Sequence, residues 1–287
     1  MSTSTSTGGG RMSDFTIMGV VNVTPDSFSD GGCYLDAGAA IDHGLELEAE
    51  GAAILDVGGE STRPGADPVP EPEELRRVIP VIEGLIERGA GARISIDTSK
   101  AGVAARALEA GASLVNDVTA FRGDPEMAGV VAGARVDCCL MHMLGDPRTM
   151  QDDPHYDDVV GDIKAFLLER MAFALKAGIA EERILIDPGI GFGKTIDHNL
   201  ELLRRLGEFL DLGRPVVIGT SRKSFLGRLT GRKASERVAA TVATNVLAYE
   251  RGARVFRVHD VAPVHDALTV TAATVSPPWT IRTSTTK

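Results

Sequence analysis

Short apolar runs alternate with longer amphipathic segments over most of this chain. Each run is apolar on both faces and ends close to a polar residue, as strands do when they are buried on both sides of a parallel sheet. The predicted strands cover residues 16–22, 53–56, 93–97, 113–117, 137–142, 184–187, 215–219 and 255–259. Eight strands that alternate with helices in one continuous chain predict an α/β fold, a single-domain (β/α)8 TIM barrel. An open, doubly wound sheet is the alternative, but no change in the pattern marks a switch point between two halves.

The segments between the strands repeat apolar residues with the period of an α-helix, so one face of each should pack against the sheet. The predicted inward faces are Leu75, Val78, Ile79, Ile82 and Leu85; Val103, Ala104, Ala107 and Leu108; Ile163, Phe166, Leu167, Met171 and Leu175; Leu202, Leu203, Leu206 and Phe209; and Val238, Val242 and Val246. Ser235 is a candidate N-cap of the last of these helices. Glycines recur after helical segments, where a left-handed residue commonly ends a helix; they are Gly51, Gly89, Gly111, Gly178 and Gly252.

The alternating pattern runs without a linker from about residue 15 to about residue 275, which predicts one domain. Residues 1–14 are rich in Ser, Thr and Gly and predict a flexible tail, and residues 276–287 predict a C-terminal tail. The N-terminus lacks the apolar core of a signal peptide, and no apolar run approaches the length of a membrane span. We therefore expect a cytoplasmic protein.

Composition narrows the choice of partners. The 287 residues are 43% hydrophobic and carry a formal net charge of −10. Such an acidic chain disfavours a nucleic-acid or anionic membrane surface as its main partner, so a local cluster of cations suits a small anion. Of the three cysteines, Cys138 and Cys139 lie in an apolar run and predict core residues of a reduced protein rather than metal ligands.

Polar or small residues stand at the predicted strand ends: Asn22, Asp56, Asp97, Asn116, His142, Asp187, Gly219 and His259. In a parallel barrel these ends meet on one rim, which carries the active site. A single polar residue at a strand end is often only a turn former, but a full ring of them indicates a site. Carboxylates and an amide at Asp97, Asn116 and Asp187 suit a flat heterocycle with several N–H donors.

A cationic turn follows the seventh predicted strand. Arg222 and Lys223 come just after Gly219, hydroxyl residues flank them, and the pattern predicts the start of a helix there. A helix start with cations favours an anion or a polar ring, whereas the alternative is a surface turn with solvated charges. Together with Arg257 and His259, these cations belong to the seventh and eighth strands, where barrels commonly hold phosphate.

Two long polar loops follow the first two strands. Residues 22–32 predict a mobile lid with one aromatic side chain, Phe28. Residues 58–65 predict a second polar loop of this kind, which carries a cation, Arg63. Residues 189–195 suggest a phosphate-binding loop, but Pro188 stands where that motif requires its first glycine. We interpret this segment as a turn that holds Asp187.

In combination these motifs resemble the bacterial dihydropteroate synthases of the folate pathway, the targets of sulfonamides. The matching motifs are GVVNVTPDSFSDGG at 19–32, DVGGESTRPG at 56–65, SIDT at 95–98, ND at 116–117, LMHM at 140–143, GDPRTMQ at 145–151, DPGIGFGK at 187–194, SRKS at 221–224 and RVHD at 257–260. They occur in the family order and cover roughly residues 15–275.

The resemblance implies that 6-hydroxymethyl-7,8-dihydropterin diphosphate condenses with p-aminobenzoate to give 7,8-dihydropteroate and diphosphate. It implies pterin contacts at Asp97, Asn116, Asp187, Lys223, Met141, Phe192 and Gly219. It implies a diphosphate grip by Arg63, Arg257 and His259, and a Mg²⁺ contact at Asn22. It implies a p-aminobenzoate pocket at Thr62, Pro64, Phe28, Arg222 and Ser224.

Within that site, the resemblance gives catalytic roles to Lys223, Asp97, Asp187 and Asp30, the last of which completes the site from the first loop. It also implies a homodimer built with the C-terminal helices, and inhibition by sulfonamides. Because an electron-rich dihydropterin can stabilise a cation, we expect departure of diphosphate to precede attack by the amine, with no enzyme nucleophile.

Two other functions remain open at this stage. A pterin-binding module of a corrinoid methyltransferase has a similar barrel, but it has no need of the cations at Arg222, Lys223, Arg257 and His259. A paralogue of dihydropteroate synthase without activity would keep the fold and could keep the motifs.

Overall fold

Eight parallel strands form a nearly closed barrel at the centre of this computed structural model, which describes residues 14–24, 37–63 and 65–275. The strands are β1 (Thr16–Asn22), β2 (Ile54–Gly58), β3 (Arg93–Asp97), β4 (Leu114–Asp117), β5 (Asp137–Met141), β6 (Ile184–Asp187), β7 (Val217–Ile218) and β8 (Val255–Val258). The helices are α1 (Ala37–Ala49), α2 (Glu71–Glu87), α3 (Ala101–Glu109), α4 (Met127–Ala134), α5 (Val159–Lys176), α6 (Ile196–Arg204), α7 (Ser224–Thr230), α8 (Val238–Glu250) and α9 (Val261–Val275). The predicted (β/α)8 TIM barrel is confirmed.

The ladder runs in the order β6-β5-β4-β3-β2-β1-β8-β7. The two outer strands of this order meet through a single parallel bridge between Ile186 and Val216, where Ile186 N donates to Pro215 O over 3.1 Å. Strand β7 is shorter than the predicted 215–219 at both ends, and at its start Pro215 has no N–H to give to a ladder. Strand β2 extends past the predicted residue 56, because Gly58 still pairs with both neighbouring strands. Strands β5 and β8 end one residue before the predicted His142 and His259.

The apolar core has two parts, one on each side of the strands. A large cluster fills the space between the strands and the surrounding helices. A smaller cluster fills the inside of the barrel and consists of Met18, Ile54, Leu114, Cys139, Val217 and Val255, with Leu185 packed against it. The interior is therefore a packed core at the N-terminal side of the barrel, as expected for this fold.

The five glycines predicted to end helices all have positive φ, between 78° at Gly89 and 116° at Gly111. This conformation is disfavoured for residues with a Cβ, so glycine allows the chain to leave a helix and enter the next strand.

The predicted face of α8 is wrong. Val238, Val242 and Val246 are only half-buried, and the buried face is largely polar, with Thr241, Thr244, Asn245, Ala248 and Tyr249. Thr244 Oγ1 donates to Thr220 Oγ1 over 2.8 Å, so this polar face is buried because it bonds to the segment that follows β7.

Three other helix predictions need correction. Ser235 does not cap α8, since it lies in a 3₁₀ turn, Ala234–Glu236, before that helix. Leu175 is exposed at the end of α5, and Leu206 and Phe209 are buried but lie in the 3₁₀ segment Leu206–Leu212 beyond α6. Helix α9 was not among the predicted faces.

Removal of interior packing should destabilise the barrel. Leu114 is fully buried inside it, so Leu114→Ala should lower the free energy of unfolding by about 2–5 kcal/mol, measured by urea denaturation with circular dichroism. Leu168 on α5 is 57% exposed, and Leu168→Ala should change stability by less than about 0.5 kcal/mol. Equal effects of the two variants would contradict this description of the core.

Candidate active site

The alternation of side chains along each strand determines which residues line the C-terminal mouth of the barrel. Residues two positions apart lie on the same face of a strand. Asp56, Asn116 and Arg257 lie two positions beyond members of the interior apolar cluster, and Asp187 lies two beyond Leu185. The interior therefore changes from apolar to charged along the barrel axis, and the predicted rim of polar groups is formed.

Asp56 lies at the centre of a buried network. Its carboxylate accepts hydrogen bonds from Ser95 Oγ at 2.5 Å, from Asn116 Nδ2 at 3.0 Å and from Arg257 Nε at 2.6 Å. Asp56 is fully buried, so these bonds replace the water that the charge has lost. The network fixes the amide of Asn116 and the guanidinium of Arg257 relative to each other.

Arg257 also reaches Asp97, whose Oδ2 accepts a bond from Nη2 over 2.7 Å. Burial raises the pKa of Asp97 to about 7, even though the charge of Arg257 opposes that change. Asp97 therefore titrates near neutral pH, which is unusual for a carboxyl group and typical of functional sites.

Asp187 and Lys223 face each other across the β6 and β7 ends. Burial raises the pKa of Asp187, while the bond from Gly189 N and the charge of Lys223 oppose that rise. Burial lowers the pKa of Lys223 to about 8, with the charge of Arg257 acting in the same direction. Lys223 Nζ lies 4.0 Å from the centroid of the Phe192 ring, a cation–π contact. The ammonium group of Lys223 and the ring of Phe192 thus lie at the same polar mouth of the barrel as Asp97, Asp187 and Arg257.

The loop that carries Phe192 is tied down at several points. Buried Lys194 donates to Phe192 O over 2.9 Å, and its Nζ lies 3.0 Å from His142 Nδ1. Burial lowers the pKa of His142 to about 2, with the charges of Lys194 and Arg122 adding to the effect, so this imidazole is neutral. Gly191 and Gly193 also bond to other elements of the barrel, through the side chains of Asn199, Gln151 and Tyr156.

Met141 lies beside this loop. It belongs to a small apolar cluster with Val118, Met143 and Met150, and Phe192 packs against that cluster. The predicted apolar pair of Met141 and Phe192 is therefore brought together.

The cationic turn before α7 is held by acid and hydroxyl groups. Arg222 donates to both carboxylate oxygens of Asp260, at 2.9 and 2.5 Å. His259 N donates to Ser221 Oγ over 3.1 Å, and the ring nitrogen Nδ1 lies at the same distance from that oxygen. Burial and the neighbouring charges of Arg257 and Arg222 lower the pKa of His259 to about 3, so it is a neutral hydrogen-bonding group.

The loop after β2 is anchored by a buried ion pair. Lys100 Nζ donates to the buried carboxylate of Glu74 over 2.5 Å and also to Glu60 in the loop, while Arg77 donates to Gly59 O over 2.8 Å. Beyond this anchor the backbone of Gly65 donates to Pro147 O over 3.0 Å, so the loop contacts the one that follows β5.

The other predicted site residues occupy the same end of the barrel. Asn22 is half-buried at the end of β1, and Gly219 is half-buried just after β7. Thr62 is half-buried, whereas Arg63 and Ser224 are exposed. Phe28, Asp30 and Pro64 lie outside the described residues, so their predicted roles remain predictions.

Comparisons with known proteins agree with this geometry. Residues 18–259 match the family of pterin binding enzymes. The dihydropteroate synthase of Escherichia coli (strain K12) is 45% identical over 260 residues, which cover 91% of this chain and 92% of the relative. The chain belongs to the dihydropteroate synthase family.

Solved structures of this family have the same fold. The Xanthomonas albilineans dihydropteroate synthase with 4-aminobenzoic acid is 52% identical, with a TM-score of 0.86, and the match covers 92% of this chain and 94% of that one. The Yersinia pestis dihydropteroate synthase in a sulfonamide drug complex is 43% identical, with the same TM-score, and the match covers 91% and 94% of the two chains. Within the described ranges, no helix combines the length and apolar character that crossing a membrane requires.

Several residues that support this dihydropteroate synthase site were not predicted as site residues. Ser95 and Lys194 are examples, and Asp56 was predicted only as a strand end. For Ser95 the available signal was the period of two, since it lies two positions before Asp97 on the same strand. The pairing of Lys194 with His142 leaves no signal of that kind, because loop residues have no fixed period.

The shifted pKa of Asp97 predicts a pH-dependent stability. The pKa of Asp97 is about 7 in the native state, whereas its ordinary pKa, which we take for the unfolded chain, is 3.8. Between these two pH values the native state binds more protons than the unfolded state. The contribution of Asp97 to the free energy of unfolding therefore falls as pH rises. In Asp97→Asn this contribution is absent. The free energy of unfolding of the variant minus that of the wild type should therefore increase from about pH 4 to about pH 7.

Urea denaturation at several pH values measures this difference, and Asp157→Asn, at an exposed carboxylate, is the control and should keep the wild-type profile. A difference for Asp97→Asn that stays constant or falls with pH would contradict the raised pKa.

Proposed function

We propose that this chain is a transferase that condenses 6-hydroxymethyl-7,8-dihydropterin diphosphate with p-aminobenzoate, as its family does, and that diphosphate leaves before the amine attacks. The observation that carries this proposal is the convergence of Asp97, Asn116, Asp187, Lys223 and Arg257 on one mouth of the barrel. Family membership supplies the reaction, and the arrangement of charges supports its route.

The acids and the amide of this mouth recognise the pterin. Asp97, Asp187 and Asn116 offer oxygen acceptors on rigid strands, which suit the N–H groups along the edge of a pterin ring. When ionised, the carboxylates of Asp97 and Asp187 also favour a ring that becomes cationic as diphosphate departs. The ring of Phe192 and the side chain of Met141 supply apolar surface for the faces of the heterocycle.

The cations of the same mouth suit the diphosphate. Two bonds to Asp56 and Asp97 use part of the five N–H groups of Arg257, and His259 lies next to it as a neutral hydrogen-bonding group. Arg63 is exposed on the loop after β2 and can reach an anion from solvent. We assign Arg257, His259 and Arg63 to the diphosphate.

Mg²⁺ is a further proposal, and the donor set at the rim fits it. Among residues 14–24, 37–63 and 65–275 no cluster of three His, Cys, Asp or Glu side chains could hold a metal ion. Mg²⁺ commonly binds one or two protein oxygens together with substrate phosphates and water, so Asn22 with the diphosphate would be enough. When bound, the ion would neutralise charge that develops on the leaving diphosphate.

This reaction requires no nucleophile from the enzyme. The bond between the exocyclic carbon and the diphosphate oxygen breaks, and its electron pair stays on the diphosphate. The amine nitrogen of p-aminobenzoate forms the new bond to that carbon and afterwards loses a proton to solvent. The chain holds the two substrates in place, and that positioning is its main contribution.

The amine would bind beside the cationic turn. Lys223 and Ser224 lie at the start of α7, and Thr62 is half-buried in the loop after β2. We assign Ser224 and Thr62, with Arg222 and the undescribed Phe28 and Pro64, to p-aminobenzoate. We assign Asp30 to completion of the site. The Xanthomonas albilineans and Yersinia pestis relatives bind 4-aminobenzoic acid and a sulfonamide drug, so we expect sulfonamides to compete here.

We also propose a homodimer in the cytoplasm. Apolar side chains stay exposed on the C-terminal helices, including Leu229 on α7, Leu247 on α8 and Val270 on α9. Large apolar side chains that stay exposed are a feature of many subunit interfaces. Cys138 and Cys139 are free and buried, which agrees with a reducing compartment.

The proposed activity is tested by diphosphate release. Release should require both the pterin diphosphate and p-aminobenzoate, measured with a coupled pyrophosphatase assay. No release with both substrates would favour an inactive paralogue, and trapping of a covalent enzyme–pterin adduct would contradict the dissociative route.

Lys223→Ala should lower kcat/KM by at least about 100-fold, because the variant loses a charge at the place where both substrates meet. The melting temperature should change by only a few degrees, since Lys223 lies at the mouth of the barrel rather than in its apolar core. Arg228→Ala, an exposed position on the same short helix, is the control and should keep wild-type kinetics. Equal losses of activity in both variants would refute the assignment of Lys223.

A further inference from the structure

Arg237 connects the start of α8 to the cationic turn. Its guanidinium Nη1 donates to Arg222 O over 2.8 Å and to Lys223 O over 3.2 Å, and its Nε donates to Arg232 O over 2.9 Å. Three bonds from one side chain thus converge on two segments of main chain on either side of α7. All three acceptors are main-chain carbonyls, and two of them belong to Arg222 and Lys223, whose side chains are predicted substrate contacts.

The turn that Arg237 holds is not one that the backbone prefers. Arg222 has φ of 57°, a conformation that is uncommon for a residue with a long side chain. Such a conformation persists where surrounding contacts determine it. Here Arg222 N donates to Thr241 Oγ1 over 3.2 Å, and the Arg222 side chain bonds to Asp260. Arg237 adds the bonds to the carbonyl side of the same turn.

Gly227 provides the space for the guanidinium. A Cβ at this position would lie 2.1 Å from Arg237 Nη2 and 2.4 Å from Arg237 Cζ. Glycine is unfavourable inside a helix, so its presence in α7 needs a reason. The close approach of the Arg237 side chain gives one, and it is independent of the hydrogen bonds.

We propose that Arg237 is a positioning residue, which through the carbonyls of Arg222 and Lys223 keeps the turn in the conformation that presents Lys223 to the substrates. This inference rests on the proposed function for its effect on catalysis. Its effect on the turn itself does not depend on that function.

The test uses one substitution at two positions. Arg237→Met keeps much of the length of the side chain and removes its donors, whereas Arg228→Met makes the same change at an exposed position of α7. Arg237→Met should lower kcat/KM by about 10- to 100-fold, with KM for p-aminobenzoate raised, because hydrogen bonds from a charged group are lost. Arg237→Lys, which keeps a charged donor, should recover part of that loss. A role in stability alone would lower kcat with the folded fraction and leave KM unchanged.

Gly227→Ala provides the second half of a double-mutant cycle. The added methyl group would displace the guanidinium, so this variant should show the same rise in KM as Arg237→Met. The double variant Gly227→Ala/Arg237→Met should be no more impaired than Arg237→Met, since the two changes remove the same interaction. Additive losses would overturn the proposal.

Hydrogen exchange separates this inference from the proposed activity. In Arg237→Met the amides of residues 220–227 should exchange at least about 10-fold faster than in the wild type, whereas those of β3 and β4 should not change. If Arg237→Met shows faster exchange but the wild-type protein releases no diphosphate, the positioning role stands and the function is refuted. Unchanged exchange at 220–227 would refute the positioning role whether or not the protein is active.

Discussion

The fork of Arg257 between Asp56 and Asp97 is the interaction on which the mouth of this barrel depends. Parallel strands bring the carboxylates of Asp56, Asp97 and Asp187 into a volume that water reaches poorly, and unpaired charges there would be costly. A guanidinium with five donors in a fixed plane can bond to two of these acids at once. The acids can then remain close together, as a heterocycle with several N–H donors requires.

Burial explains why groups of the mouth have shifted pKa values in opposite directions. It raises the pKa of Asp97 and Asp187, which the charge of Arg257 opposes, whereas it lowers the pKa of Lys223 and His259, to which Arg257 adds. Groups of both kinds therefore titrate closer to neutral pH or stay uncharged.

Three of the loops that the structure describes around the mouth are held in a common way. Each has an anchor to the scaffold close to a residue that faces the mouth: Lys194 beside Phe192, the ion pair of Lys100 and Glu74 below the loop after β2, and Arg237 below Lys223. The anchors are long basic side chains that bond to carbonyls or carboxylates. The loops can therefore carry exposed polar groups at their tips while their bases remain fixed.

The sequence by itself determined the barrel and most of its mouth, because both depend on local periodicity. Buried strands need continuous apolar runs, helices repeat every 3.6 residues, and the parity of a strand places Asp97, Asn116 and Asp187 with the interior. The period failed for α8, where hydrogen bonds to Thr220 allow a polar face to be buried and leave Val242 half-exposed. Only the tertiary structure decided that Arg257 bonds to Asp56 and Asp97, that His142 lies within hydrogen-bond distance of Lys194, and that Arg237 bonds to the turn before α7. These contacts join residues that are far apart in the chain or lie in loops, and their distances depend on how the barrel closes rather than on any spacing in the sequence.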